Sequence, residues 1–379
     1  LRYFRRRFGI DRYDICVGGS RYHNMKDLMR FPDVGRGDLR FEPWPPAPVP
    51  DFDTADSTLD RVRRGDVLFH YPYQSFSNYL RLLREAALSR DVRTIRTTVY
   101  RLARNSKVVK ALICAARHGK QVTAVVELMA RFDEASNIDW AKKMQEAGIR
   151  VIFGVEGLKV HAKLTHIGSS RGDIACVSTG NFHEGNARTY TDVALLTADR
   201  RLTREVERVF EFIRQPARPF AFDHLVVSPR DMRRKLNALI ADEARRARQG
   251  EEAYILAKVN HITDAKLIRR LYAAAAAGVR LRLLVRGNCS IVASAHDCGR
   301  IEIRGIIDRY LEHSRILIFG HGGDERIYIG SADWMTRNLD NRVEAYAPVY
   351  DEAVRRELRR IVDEGLADNV AARVVDGTG

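Results

Sequence analysis

The sequence predicts an α/β protein made of two tandem, duplicated domains packed around a shared cleft. Three observations predict it. Strand-like and helix-like segments alternate along most of the chain, which implies a layered sheet covered by helices. The alternation starts near Asp66 and begins again after about residue 228. The two copies carry similar polar residues at similar spacings, the mark of an internal duplication. The predicted divisions are 1–47, 48–228 and 229–379.

The first division closes on FEPWPPAPVP at 41–50. Prolines at that density favour extended chain and mark a boundary. Residues 78–89 have helical spacing, and 92–100 read as a strand. Residues 106–118 read as an amphipathic helix with Ser106 as N-cap and Gly119 as its stop. A buried strand is predicted over 121–129, a helix over 138–147 closed by Gly148, and a short strand over 150–153. Two more strands follow, over 158–168 and 173–178. In the second copy 254–259 is a strand, 264–277 a helix stopped by Gly278, and 279–285 a strand. The basic run 230–248 reads as an amphipathic helix with a solvated face.

The repeat is seen residue by residue. Ser106 lies 13 residues before Gly119, and Asp264 lies 14 before Gly278. His161-Ala-Lys163 matches His313-Ser-Arg315. Asn181 follows His161 by 20 residues, and Asp333 follows His313 by 20. Within a strand, residues two apart share a face, so His161 and Lys163 are expected to project together from one strand. A pseudo-twofold axis between the copies would bring both histidines to the cleft.

Composition narrows the partners. Lys and Arg outnumber Asp and Glu by 64 to 49, giving +15 and a pI near 9.8. That predicts a polyanion: nucleic acid, nucleotide phosphates, a phosphate polymer or an anionic membrane. The five cysteines (Cys16, Cys114, Cys176, Cys289, Cys298) form no CxxC and no zinc spacing, and Cys114, Cys176 and Cys289, in mainly apolar segments, read as reduced thiols. No apolar run reaches membrane-spanning length and no signal peptide is seen. A cytoplasmic protein is expected, with peripheral attachment at the inner membrane face allowed. The opening LRYFRRRFGI reads as mid-domain sequence, so a longer parent chain is expected.

A histidine, a cation two residues on, and a small-residue turn ending in Asn or Asp resemble the layout of the phospholipase D superfamily. There one histidine attacks phosphorus and the other protonates the leaving oxygen, while cationic and amide groups hold the other oxygens. Imidazole suits both tasks because it titrates near neutrality. A lone strand histidine is more simply a core residue; two in matched repeats, each beside a cation, favour chemistry. The superfamily's aspartate, five residues after the lysine, falls here on Gly168 and Gly320. Whatever orients His161 must come from elsewhere.

A closer resemblance runs nearly end to end. It is carried by TVYR at 98–101, VELMARFDE at 126–134, GLKVHAK at 157–163, STGNFHE at 178–184, ARTYTD at 187–192, LVRG at 284–287, DRYLEH at 308–313 and SADWMTRN at 331–338. In these segments the sequence resembles the C-terminal half of the polyphosphate kinase family. The resemblance implies two phospholipase D-like domains, with 1–47 as the end of a head domain. It implies reversible transfer of the ATP γ-phosphate to polyphosphate through a phosphohistidine at His161. His313 is then a general acid or phosphate contact, and Lys163 and Arg315 neutralise the moving phosphoryl group. Tyr190, Arg286 and His313 match nucleotide contacts. Arg101 and Arg131 match arginines beside the triphosphate and Mg²⁺. A protonated guanidinium has no lone pair for a metal, so they read as clamps on the phosphates. ATP, ADP and polyphosphate are the implied partners, with a homo-oligomer when full length and no specific nucleic acid.

The loop 287–299 departs from the family, which carries a Pro-Gly segment there. His118, His166 and His183 read as structural. A phospholipase D-type phosphodiesterase or nuclease is the alternative enzyme, and a polyanion-binding module the non-enzymatic one. Retention of both histidines argues against the module; the arginines at 101, 131 and 286 favour a triphosphate donor.

Overall fold

The computed structural model describes residues 2–11, 32–100, 102–103, 105–127, 134–293 and 299–375. The chain divides into two compact units, Leu1–Pro43 and Trp44–Gly379. The first holds a helix, Arg2–Arg7, and a 3₁₀ turn, Gly37–Leu39.

The second unit holds two sheets. The first copy supplies β1 (Val67–Tyr71), β2 (Val92–Val99), β3 (Gln121–Val126), β4 (Arg150–Phe153), β5 (Lys159–Val160), β6 (Lys163–Ser169), β7 (Ile174–Ser178) and β8 (Tyr190–Thr197). The second supplies β9 (Val226–Ser228), β10 (Tyr254–Val259), β11 (Arg280–Val285), β12 (Ile301–Ile306), β13 (Leu311–Glu312), β14 (Ile316–Phe319), β15 (Arg326–Gly330), β16 (Arg342–Pro348) and β17 (Ala372–Val374). One sheet runs β1-β8-β7-β6-β2-β3-β4. The other runs β17-β12-β11-β10-β14-β15-β16. From β8 to β4 and from β16 to β12 the order is the same, and β9 lies antiparallel on β16 as β1 does on β8. The duplicated α/β fold expected from the repeat is present, with β17 added at the β12 edge of the second sheet.

The helix ends follow local chemistry. Ser106 caps Lys107–Arg117 by accepting from the Val109 amide at 3.3 Å. Asp264 caps Ala265–Ala276 through the Leu267 amide at 2.8 Å. Gly119 and Gly278 then leave those helices at φ +77° and +112°, a region that disfavours a side chain. Helices Arg200–Arg214 and Glu352–Ala367 join the two sheets through one apolar core. It takes Leu164, Val177 and Val193 from the first copy and Ile316, Ile329 and Val343 from the second. Burying a side chain of this kind is worth about 1.5–3 kcal/mol, so the copies are held as one body by a shared core. Among the described residues no helix is long and apolar enough to cross a membrane.

One expectation fails in an informative way. Residues 158–168 do not form a single strand. The chain breaks at His161-Ala162, where both amides donate to the Val343 carbonyl at 2.9 and 2.8 Å. Before the break, β5 lies parallel to β16 in the other copy's sheet. After it, β6 joins its own. The second copy does the same in reverse, with β13 parallel to β8. An apolar run looks alike whether it feeds one sheet or two, so the pattern could not show the break.

The glycines at the superfamily's aspartate positions are closely packed. A Cβ on Gly168 would fall 2.3 Å from Thr94 Oγ1, and one on Gly320 would fall 2.9 Å from the Tyr254 ring. A carboxylate has no room at either. Gly168→Asp is expected to lose about 2 kcal/mol or more in urea unfolding, from overpacking together with a half-buried charge; an unchanged midpoint would contradict this packing.

Candidate active site

Each histidine leaves a two-residue strand that belongs to the opposite sheet, so its neighbours come from the other copy. His161 Nδ1 lies 2.9 Å from the Glu344 carboxylate on β16. His313 Nδ1 lies 2.9 Å from both Asp192 oxygens on β8. The backbone is pinned as well: the His313 amide donates to the carbonyl and hydroxyl of Thr191, each at 3.2 Å. With Nδ1 of His161 engaged, its Nε2 is the nitrogen left for a ligand, whereas Arg315 Nη1 lies 3.2 Å from Nε2 of His313.

The two carboxylates are themselves held. Asp192 accepts from the Thr179 hydroxyl at 2.6 Å. Glu344 accepts from the Ser331 hydroxyl and from Asn338 Nδ2, the latter at 2.6 Å. Burial would raise both acids. The adjacent histidine and its hydrogen bond, aided by Arg315 at Asp192 and by Lys163 at Glu344, bring them below the ordinary carboxylate range.

Lys163 and His161 do meet, though not as neighbours on one strand. Lys163 is nearly fully buried and its ammonium donates to the His161 carbonyl. It also lies 5.3 Å from the centre of the Tyr100 ring, which packs edge-on to His161 at 5.0 Å. Burial, opposed by Glu344 and aided by Arg315 and Arg342, lowers Lys163 to about 7. Arg315 is equally buried but fully committed. It bonds Asp333 twice at 3.2 Å, the His313 carbonyl at 2.8 Å and the Thr179 carbonyl at 3.2 Å. Asp333 therefore anchors Arg315 rather than a histidine, and also receives the Asn260 amide at 2.8 Å. Asn181 has a buried Oδ1 with no hydrogen-bond partner among the described residues.

Burial holds both histidines neutral. It carries His161 down to about 3 against the pull of Glu344, with Lys163 assisting. It carries His313 to about 4 against Asp192, with Arg315 and Lys163 assisting. That Lys163 acts on His313, and Asp192 on Lys163, puts both motifs in one electrostatic cluster.

The remaining candidates divide. The Tyr190 ring packs against His313 at 5.1 Å. Arg286 closes β11 and bonds Asn260 Oδ1 at 2.7 Å, while Asn260 Nδ2 reaches the His313 carbonyl at 3.3 Å. Arg101, Arg131 and residues 294–298 of the divergent loop lie outside the described residues. His118 bonds the Cys114 carbonyl, His166 sits beside Arg96 and Asp173, and the His183 ring accepts from the Gly185 amide, all outside the cluster. Glu184 caps the helix Lys107–Arg117 from outside through the Lys107 and Val108 amides. Cys114, Cys176 and Cys289 are free thiols.

Sequence reasoning missed Asp192, Glu344 and Arg342. A signal existed: Asp192 and Glu344 each lie 31 residues after the histidine of their own copy, and 13 after Thr179 and Ser331. Arg342 stands two residues before Glu344, as Tyr190 stands before Asp192, so it shares Glu344's face of β16. Its side chain makes no hydrogen bond or ion pair among the described residues, and its charge acts on His161 and Lys163. Glu344→Ala would strand the Ser331, Asn338 and His161 donors and is expected to cost about 3–5 kcal/mol in chemical unfolding. A loss under about 1 kcal/mol would mean water replaces the carboxylate.

Residues 57–219 match polyphosphate kinase C-terminal domain 1, and 225–379 match polyphosphate kinase C-terminal domain 2. Polyphosphate kinase of Vibrio vulnificus strain YJ016 is 46% identical over 99% of this chain and 54% of its own length. That of Escherichia coli K12 is 46% identical over 98% and 55%. The crystal structure of polyphosphate kinase from Porphyromonas gingivalis superposes with TM-score 0.88 at 38% identity, covering 100% of this chain and 58% of that one. Phosphatidylserine synthase of Haemophilus influenzae shares the fold, with TM-score 0.58 at 10% identity over 82% and 87%. The chain spans about half the length of the curated relatives it matches. Two domain matches covering most of its length, laid on a duplicated α/β fold, show that the chain belongs to the polyphosphate kinase family.

Proposed function

We propose that this chain transfers the ATP γ-phosphate reversibly to inorganic polyphosphate through a phosphohistidine on His161. The observation that carries the reading is the pair of crossed carboxylate–histidine contacts. Glu344 fixes the proton of His161 on Nδ1, which leaves the Nε2 lone pair for phosphorus. As Nε2 bonds to the γ-phosphorus, the bond to the β-phosphate oxygen breaks and ADP leaves with a proton from His313. The terminal oxygen of polyphosphate then attacks the phosphohistidine, the P–N bond breaks, and the chain grows by one unit. A P–N bond to imidazole transfers readily in either direction between phosphoanhydrides, which suits a reversible reaction.

His313 must be protonated for this, and burial opposes that. A bound triphosphate supplies negative charge beside it and raises its affinity for a proton. The same charge favours the protonated form of Lys163, which burial disfavours. Lys163, Arg286 and Arg342 then balance the phosphate charge, with Arg315 holding the backbone of His313. Tyr190 contacts the nucleotide beside His313. Arg101 and Arg131 clamp the triphosphate.

Mg²⁺ enters as part of the substrate. The carboxylates of the cluster, Asp192, Glu344 and Asp333, are each saturated by histidine, arginine or hydroxyl partners, which disfavours them as direct ligands. The donor set fits an ion held by phosphate oxygens and water.

Incubation with ATP labelled at the γ-phosphate should give acid-labile, base-stable label on the protein. His161→Ala should abolish it, and His313→Ala should slow it about 100-fold or more. Added ADP should chase the label back into ATP. Label surviving in His161→Ala would remove the nucleophile assignment; label released only to water would favour a phosphodiesterase.

A further inference from the structure

The first sheet carries a cavity at the end remote from the histidines. It has a volume of about 420 Å³ and lies between the sheet and the last turns of helix Arg200–Arg214. Its floor is built by register. Arg96 on β2 pairs with Thr123 on β3, and Thr123 pairs with Arg150 on β4, so the three stand in a row on one face. Arg214 and Glu211 line it from the helix, and Thr94 from β2. Arg96 is held by Glu207, to which its Nη1 donates at 2.7 Å. The Arg150 and Arg214 side chains are exposed and, among the described residues, make no hydrogen bond or ion pair. The Thr94 and Thr123 hydroxyls make none there either.

The second copy shows the same face closed. Thr123 is three residues before Val126, which pairs with Val99; Arg282 is three before Val285, which pairs with Val259. Arg150, the partner of Thr123, therefore stands where the second copy has Glu302, the partner of Arg282. Glu302 accepts from Arg282 at 2.7 Å and from Arg304 at 2.6 Å, which matches the charges on that face. Arg214 follows the capping Asp199 by 15 residues, and its counterpart, 15 after Asp351, is the buried Leu366. Two cations thus occupy the places of an acid and an apolar side chain. Among the described residues lining the cavity, Glu211 alone carries a carboxylate. Unmatched cations in a concave polar face draw an anion from solution.

The donors select the anion. Guanidinium forks and hydroxyls match phosphate oxygens. The ring in the wall, Phe210, is only 4% exposed and offers no face on which a base could stack. The cavity is also separate from the histidine cluster. From Thr94 to Val99 β2 runs about 17 Å before Tyr100 packs on His161.

We propose that this cavity is a second, non-catalytic anion site that binds a segment of an inorganic phosphate chain. Naming that chain as polyphosphate rests on the proposed function; the preference for phosphate rests on the cavity.

Equilibrium titration of the intact chain with inorganic tripolyphosphate, at physiological salt to screen loose surface binding, should resolve two sites. Arg150→Glu and Arg214→Glu should each weaken one of them about tenfold or more and change the other less than about twofold. Arg150→Lys should keep both, and Glu211→Gln should tighten the weakened one. Both arginines lie at the surface, and an unchanged urea midpoint certifies the fold of each variant. A single site in the wild type would overturn the proposal, as would two sites left unchanged by both charge reversals. An RNA oligonucleotide that competes at the Arg150 site as well as tripolyphosphate does would overturn the choice of ligand. All three results leave phosphotransfer at His161 standing. A wild type that takes no label from ATP yet binds tripolyphosphate at both sites would overturn the proposed function and support this site.

Discussion

Each histidine of the pair is delivered by one copy of the repeat and held by the other. The device is the exchange of two short strands, β5 onto β16 and β13 onto β8. It brings His161 to Glu344 and His313 to Asp192, contacts that span 183 and 121 residues of sequence. Neither copy alone contains a complete site. The shared apolar core of helices Arg200–Arg214 and Glu352–Ala367 keeps the two sheets in the register that the exchange requires.

Such buried pairs are poor sources of net stability, because desolvation of the charges offsets their attraction. Their value here is geometric. Glu344 and Asp192 each have hydroxyl or amide partners besides the histidine, so the network is satisfied and its members have little freedom to turn. Burial keeps the rings neutral and lowers Lys163, while the carboxylates engage Nδ1.

Much of this was legible in the sequence, for identifiable reasons. Ser106 and Asp264 are caps whose chemistry is local, and Gly119 and Gly278 stop their helices by backbone conformation alone. The match of His161 with His313 over equal spacings gave the duplication. What was hidden is tertiary. The break at His161-Ala162 lies inside an apolar run that reads the same on either side. The search for an orienting acid looked within each motif and met Gly168 and Gly320, where no side chain fits. The acids were 31 residues downstream and serve the opposite copy. Arg342 stayed unnoticed because its counterpart, Tyr190, differs in chemical type.

The claim that Glu344 fixes His161 on Nδ1 is tested most directly by the isomer of phosphohistidine formed. Phosphorus NMR of the chain trapped after reaction with ATP, with the modified residue mapped to His161, distinguishes the two nitrogens. Phosphate on Nε2 is the predicted result; phosphate on Nδ1 would contradict the crossed-pair geometry from which the account is built.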